Sequence, residues 1–390
     1  MKLKCTKIIT CAFTSFIAFA TNTHALAIDA KVGVLLPLTG SQAFYGKEAK
    51  NGIDLARQEL SSSDIDLKIV VEDTQSTPVE AAKGMNKLIT SDRVNVVIAE
   101  VISSNAIAAA SISEKAKIPM LSPAATNDTV TLGKKYIYRT CFIDSFQGVV
   151  MAKYAKEHLN AKNAIILEDS DSDYSKGLSN NFKATFENEG GKILKVLKYS
   201  QKDTSFTSQL GDVRRSKPDI LYIPGFHQQV GVILREAEDL GIKSKKLGGD
   251  GWYTPDLRSI AKEAVNGGII STHFYSPESK DSENNVNPHV KAFVDAYQAE
   301  YKAMPSAHAA LGYDSYKIIH SVITEIKAAK SKKSEAITSE EINTALAKLK
   351  NFKGITGTIT MDKNHNPIKP AVILEYIQNG YKFKASINPQ

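Results

Sequence analysis

Short apolar runs alternate along this chain with longer stretches that repeat every three to four residues. Residues 31–36, KVGVLL, are one such run, closed by Pro37-Leu38-Thr39-Gly40. Residues 45–60 then place Ala49, Ile53, Ala56 and Leu60 on one stripe, the spacing of an amphipathic helix. A second strand is predicted over 67–71, leading through Glu72-Asp73-Thr74 to a helix opened by Pro78. A third covers 94–99, after which Ser103-Ser104-Asn105 caps an alanine-rich helix to about residue 116. A short strand over 118–121 runs into Ser122-Pro123-Ala124-Ala125-Thr126. Regular alternation of strand and helix predicts a parallel, doubly wound sheet.

The pattern then restarts. Strands are expected over 163–167, 193–199 and 219–223, with helices over 147–159, 174–189 and 206–216. Val230, Ile233, Leu234, Ala237 and Leu240 give a further helical stripe ahead of Leu247-Gly248-Gly249-Asp250-Gly251-Trp252. That glycine loop holds the only tryptophan, and Thr254-Pro255-Asp256 reads as the cap of the next helix. A second α/β lobe therefore occupies roughly residues 144–272. The last third is mostly helical, with a capping box at Thr338 and Glu341, and ends in strands joined by an Asn379-Gly380 hairpin turn. No strict internal repeat and no low-complexity linker interrupts it.

Length and composition narrow the function classes. Lys2, Lys4 and Lys7, an apolar run over 8–20 and Ala25-Leu26-Ala27 have the form of a secretory signal peptide cut after Ala27. The run is shorter than the roughly 20 apolar residues a membrane span needs, so export without a membrane anchor is expected. Of 390 residues, 363 remain after that cut, enough for two domains. The formal charge falls from +7 to +4, with lysines interspersed among acids except near Lys330, Lys332 and Lys333. No basic face interleaved with aromatics appears, which argues against nucleic acid. Cys5 and Cys11 leave with the signal, and Cys141 remains without a partner for a disulfide or a cysteine zinc site.

Enzyme motifs fail one by one. Gly40 and Gly46-Lys47 resemble a phosphate loop, but the spacing is one residue too long and Glu48 replaces the Ser/Thr. Asp169, Asp171 and Asp173 imitate half of a calcium loop, yet Tyr174 stands where glycine is required and Asn180 where glutamate is. No nucleophile elbow, zinc helix or dinucleotide fingerprint occurs. His158, His227, His273, His289, His308, His320 and His365 show no metal spacing and read as surface or cap histidines. The expectation is a protein without catalysis, cofactor or metal.

The remaining signals lie where strands end and helices begin, which is where open α/β sheets bind ligands. Ser103 offers a hydroxyl and free amides suited to a carboxylate, although an ordinary helix cap accounts for it equally well. Thr126 offers a second hydroxyl. Asp250 suits a cation such as an α-ammonium, while Tyr45, Tyr174, Phe226 and Trp252 occupy similar loop positions and can wall in an apolar group.

At these residues the chain resembles the branched-chain amino-acid (Leu/Ile/Val)-binding proteins of ABC importers, which are type I periplasmic binding proteins. The resemblance is carried by VGVLLPLTGSQAFYGKEAKNGIDLA, EDTQSTPVEAA, LSPAATND, PDILYIPGFHQQVGVILREAEDLGI and LGGDGW, in the family's order. It implies two α/β lobes with parallel-sheet cores joined by three crossovers, near Asp144, near His273 and at 355–358. The lobes would comprise 28–143 with 274–355, and 144–273 with 356–390. It implies a ligand carboxylate at Ser103, the Ala124 backbone and Thr126, with the α-ammonium at Asp250. Tyr45, Tyr174, Phe226 and Trp252 would line the rest. Asp250 stands where relatives often have glutamate and Phe226 where they often have tyrosine; Ser76 and Ile102 replace a disulfide found in some. The implied protein is a monomeric periplasmic receptor that delivers a small aliphatic amino acid to permease subunits. Alternatives are an amide, aromatic-acid or peptide ligand, a sensing subunit, or an exported α/β hydrolase.

Overall fold

A computed structural model describes residues 29–275, 287–330 and 336–389. The signal segment, Lys332 and Lys333 lie outside them. The first lobe is built from β1 (Ala30–Leu36), α1 (Ala43–Glu59), β2 (Leu67–Asp73), α2 (Pro78–Thr90), β3 (Val96–Ala99), α3 (Ser103–Ala116), β4 (Met120–Ser122) and β5 (Ile137–Arg139). Its sheet runs β2-β1-β3-β4-β5, and every pairing is parallel. Strands such as β3 are buried along their whole length, as expected where helices cover both faces.

The second lobe contains α4 (Asp144–Glu157), β6 (Asn163–Asp169), α5 (Asp173–Asn188), β7 (Lys192–Tyr199), α6 (Thr207–Ser216), β8 (Ile220–Tyr222), α7 (His227–Asp239), β9 (Lys245–Gly248), α8 (Pro255–Ala261) and β10 (Ile269–Thr272). The chain then returns to the first lobe as α9 (Pro288–Tyr301), α10 (Ala307–Ala329) and α11 (Ser339–Ala347), followed by the hairpin β11 (Phe352–Gly354) and β12 (Gly357–Ile359). It ends as β13 (Ala371–Ile377) and β14 (Gly380–Ile387), which pair antiparallel at one side of the second sheet. That sheet reads β14-β13-β10-β9-β8-β6-β7.

Without the β13–β14 extension, the second sheet repeats the strand order of the first. The sequence gives no sign of this repeat, because crossover handedness conserves topology without conserving residues. The main expectations of helix and strand hold, including Thr77 and Pro78 opening α2 and both arms of the capping box at Thr338 and Glu341. Two details differ. Ile377 pairs with Gly380, so the hairpin loop is Gln378-Asn379, and Gly380 carries the positive φ of 106° just beyond it. The β11 strand was not anticipated; its three residues include an exposed lysine and lack a buried apolar stripe.

The helix pair α1–α10 fixes the first lobe's outer layer through backbone contact. A Cβ on Gly52 would lie 1.9 Å from the Ala309 carbonyl oxygen, and one on Gly312 would lie 2.1 Å from that of Ala49. Both obstacles are main chain, so neither can swing aside. Gly312→Ala should therefore destabilise the protein by about 1–3 kcal/mol, seen as a lowered midpoint in thermal unfolding. An unchanged midpoint would contradict this packing.

Candidate ligand site between the lobes

In each lobe the strand order reverses between the first and third strands. Segments that follow the carboxyl ends of the two sheets bond to one another, Tyr45 to Gly251 and Ser104 and Asn127 to Asp173. Tyr45 comes from the first turn of α1, Ser103 opens α3, and Ala124 and Thr126 follow β4. From the second lobe, Tyr174 lies in the first turn of α5, Phe226 precedes α7, and Asp250 follows β9.

Asp250 is the centre of the second lobe's contribution. It is buried, and Oδ1 accepts hydrogen bonds from the Tyr174 hydroxyl at 2.9 Å and Gln147 Nε2 at 2.8 Å. Oδ2 faces His273 Nε2 at 3.3 Å. Burial pushes this carboxyl up, but the hydrogen bonds from His273 and Gln147 act against it, and the carboxyl lies below the ordinary carboxylate range. His273 is itself shifted down by burial, so at neutral pH it is an uncharged ring. An ionised Asp250 only accepts, so His273 carries its proton on Nε2; its Nδ1 is buried without a partner. The Tyr174 hydroxyl also receives the Gly251 N–H at 3.1 Å, which ties the glycine loop to α5.

Tyr45 bridges the lobes. Its hydroxyl donates to the Gly251 carbonyl at 2.7 Å, and the His227 N–H donates to it at 3.1 Å. Because the single hydroxyl proton is committed to Gly251, the 2.8 Å contact with His227 Nδ1 requires the histidine to donate. The Tyr45 ring packs 5.4 Å from Phe226 and 4.8 Å from His308, and Phe226 stacks on Tyr174 at 5.2 Å. A second junction lies at the start of α5. Asp173 N–H donates to Ser104 Oγ at 3.1 Å, and its carbonyl accepts from Asn127 Nδ2 at 2.7 Å.

The first lobe's half consists mainly of groups without protein partners. Ser103 is not the helix cap; Ile102 holds that place without a side-chain bond, which frees the Ser103 hydroxyl to accept the Asn127 N–H at 3.2 Å. Thr126 Oγ1 is buried and unpartnered, close enough to the Asp144 carboxyl to moderate its upward shift but outside bonding geometry. The Ala124 carbonyl and Thr126 N–H likewise make no bond among the described residues. Asp144 lies one helical turn before Gln147 and donates its N–H to the Thr126 carbonyl at 2.9 Å. That bond sets the first lobe's loop about one turn of α4 from the residue that reaches Asp250.

Tyr45, Tyr174, Phe226 and Asp250 are thus brought together, and Ser103, Ala124 and Thr126 adjoin them across the cleft. Trp252 does not join them. It is fully buried behind the loop, packed under Gly248 and Gly268, and its Nε1 donates to the Ile223 carbonyl at 2.9 Å. The reading of the histidines as surface or cap residues is corrected for His227, His273 and His308, all buried at the lobe junction, and for His320, buried within α10 against Ser63. Their sequence positions carry no signal, since α7, β10 and α10 converge only in the folded protein. The described residues contain no cluster of His, Cys, Asp and Glu that can hold a metal. Asp169 and Asp171 instead bond to their own loop and to Gln201 and Ser200. No described helix is long and apolar enough to cross a membrane. Cys141 is free and buried, its thiol pushed up to about 12 by burial.

Residues 29–381 match the sequence profile of a family described as periplasmic binding protein. The chain is 30% identical to the Leu/Ile/Val-binding protein BraC3 of Rhizobium johnstonii over 367 residues, covering 91% of this chain and 94% of that one. The fold is similar to a leucine binding protein, LivK, from Thermotoga maritima (TM-score 0.85, 36% identity, 92% of this chain and 99% of that one). It is similar also to LivJ, a branched-chain amino acid transporter substrate binding protein of Streptococcus pneumoniae solved with isoleucine (TM-score 0.82, 32% identity, 92% and 99% covered).

Two expectations follow from the geometry. Tyr45→Phe keeps the ring but removes its hydroxyl from Gly251 and His227, so small-angle scattering of the unliganded protein should show a larger radius of gyration. An unchanged radius would mean that this contact does not hold the lobes together. Glu100, buried with φ +65° beside the Ser103 turn, is pushed up to about 8 from an ordinary 4.5 by burial, moderated by Thr74, Asn105 and nearby amides. The folded state therefore holds a proton that the unfolded state releases. Stability should fall as pH rises from about 4.5 to about 8, and Glu100→Gln should flatten that slope in denaturant unfolding.

Proposed function

The chain belongs to the periplasmic binding protein family, and on that premise we propose that it is an exported receptor for a small aliphatic amino acid. It captures leucine, isoleucine, valine or a close relative between its lobes and delivers it to the permease of an ABC importer. The observation that carries this reading is Asp250, a buried and ionised carboxylate on one lobe, opposite free hydroxyl, amide and carbonyl groups on the other. A zwitterion matches that division. Its ammonium neutralises Asp250, while its carboxylate takes N–H and hydroxyl donors near Ser103 and Thr126. The aromatic wall of Tyr45, Tyr174 and Phe226 suits an apolar side chain.

Such a ligand couples binding to motion. Each charged end is satisfied by a different lobe, so the closed arrangement alone satisfies both, and the ligand shifts the population by its differential affinity. The hinges of that motion are the chain crossings near Asp144, near His273 and between Lys369 and β13. Residues 355–358, where the resemblance implied the third crossing, instead turn the β11–β12 hairpin within the first lobe, to which Lys369 still bonds through Thr140 and Thr356. Asp250 already has donors in Tyr174, Gln147 and His273, so it is preorganised, and an incoming ammonium need not reorient it. Relatives with leucine or isoleucine in their names, 30–36% identical over nine-tenths of the chain, support the side-chain class.

Calorimetry on the wild type with leucine and with 4-methylpentanoic acid, its des-amino analogue, tests the reading. Leucine should bind far more tightly. Equal binding of the two would remove the ammonium anchor. Asp250→Ala should weaken leucine binding by tens- to thousands-fold, from the roughly 2–5 kcal/mol lost when one partner of a buried charge pair is truncated.

A further inference from the structure

Arg139 lies at the end of β5 with no exposed surface. Its guanidinium donates from Nη1 to the Ala125 carbonyl at 2.8 Å, and from Nη2 to the Asn127 carbonyl at 2.9 Å and Thr131 Oγ1 at 2.9 Å. Nε has no partner. No ion pair reaches it among the described residues, although Asp128 and Asp144 lie near enough to favour its charge. The Asp128 carboxylate is occupied by the N–H and hydroxyl of Ser145. The Asp144 carboxyl is pushed well up by burial, and neither of its oxygens bonds to the guanidinium. A buried cation is thus held against backbone carbonyls, directly under the loop that carries Ala124 and Thr126.

The loop's peptide geometry gives this placement a consequence. No described peptide bond is cis, so the Ala125 C=O and the Thr126 N–H point in opposite directions. Arg139 and the Cys141 thiol both draw the Ala125 carbonyl to the same side. The Thr126 N–H is therefore aimed away from Arg139, and it is one of the groups that no protein atom satisfies. The next peptide is fixed as well, since its carbonyl accepts from Asp144 N–H and its N–H donates to Ser103 Oγ.

We propose that Arg139 is a positioning residue for the ligand's carboxylate. It fixes the Ala125–Thr126 peptide so that the Thr126 N–H faces the cleft, and its uncompensated charge makes that side of the loop electropositive. The ligand carboxylate then serves as the countercharge, with a peptide group between the two. Arg139 touches the loop and not the ligand. A lysine cannot reproduce this, because it supplies the charge without the planar fork that grips two carbonyls. This inference deepens the amino-acid reading and rests on it.

The test compares leucine with leucinamide, which keeps the ammonium and side chain but has no carboxylate. The wild type should prefer leucine strongly. In Arg139→Gln and Arg139→Lys that preference should shrink by about tenfold or more, the scale of a charge-assisted contact, because leucine affinity falls while leucinamide affinity barely changes. A purely structural role for Arg139 would weaken both ligands alike and leave the ratio intact, and that result overturns the proposal. Amide chemical shifts of the wild-type protein supply a measurement independent of variant folding. The Thr126 amide proton should move downfield with leucine and not with leucinamide, and equal shifts with both would also overturn it. If the wild type binds neither compound, the amino-acid reading itself fails, which is a distinct outcome.

Discussion

The arrangement between the lobes depends on keeping one carboxylate ionised where water is excluded. An isolated buried carboxylate would protonate, because its charged form is costly to desolvate. Asp250 escapes this through donors from three separate elements: Tyr174 on α5, Gln147 on α4 and His273 just after β10. These contacts do more than stabilise a charge. They tie the glycine loop to the helices beside it and fix the orientation of both carboxylate oxygens. The loop's glycines are part of the same construction, since a Cβ on Gly249 would collide with the Gln147 amide and the Tyr174 hydroxyl.

The opposite lobe is built on a complementary plan. Its buried charge is Arg139, and that charge is presented through peptide groups. One lobe therefore offers a direct anion and the other an indirect cation. A molecule bearing both charges fits that field in one orientation only. The Tyr45 hydroxyl and the Ser104–Asp173–Asn127 junction then close the remaining gap with neutral hydrogen bonds. Neutral contacts suit this role, because each contributes about 0.5–1.5 kcal/mol and they can break and re-form as the lobes move.

The sheets explain why these groups meet. Parallel β-α-β units deliver every strand's carboxyl end to the same edge, and the strand-order reversal opens a crevice there. Two lobes with the same strand order, turned edge to edge, make that crevice a shared one. The residues inferred from the loops after β3, β4, β8 and β9 fall at this edge because local strand-to-helix succession dictates it. Trp252 shares such a loop position and still points away, into the core behind Gly248 and Gly268. Loop position places a backbone at the crevice but does not decide which way a side chain turns.

What the sequence determined by itself was therefore the succession of elements, the two-lobed α/β architecture and the identity of most loop residues at the crevice. Hydrophobic periodicity, caps such as Thr77-Pro78 and Thr338…Glu341, and glycine positions are local signals, and each acts within a few residues. The tertiary structure alone decided the partners. His227, His273 and His308 looked like scattered polar residues because they lie on α7, beside β10 and on α10, and only folding brings them together. Ser103 read as a helix cap because its neighbours in sequence allow it, whereas its actual partner, Asn127, is 24 residues away. Arg139 carries no signal of its own in the sequence, and nothing within a few positions reveals that its guanidinium grips the loop of Ala125 and Asn127. Burial and hydrogen-bond pairing across long separations are properties of the packed chain, and no local pattern encodes them.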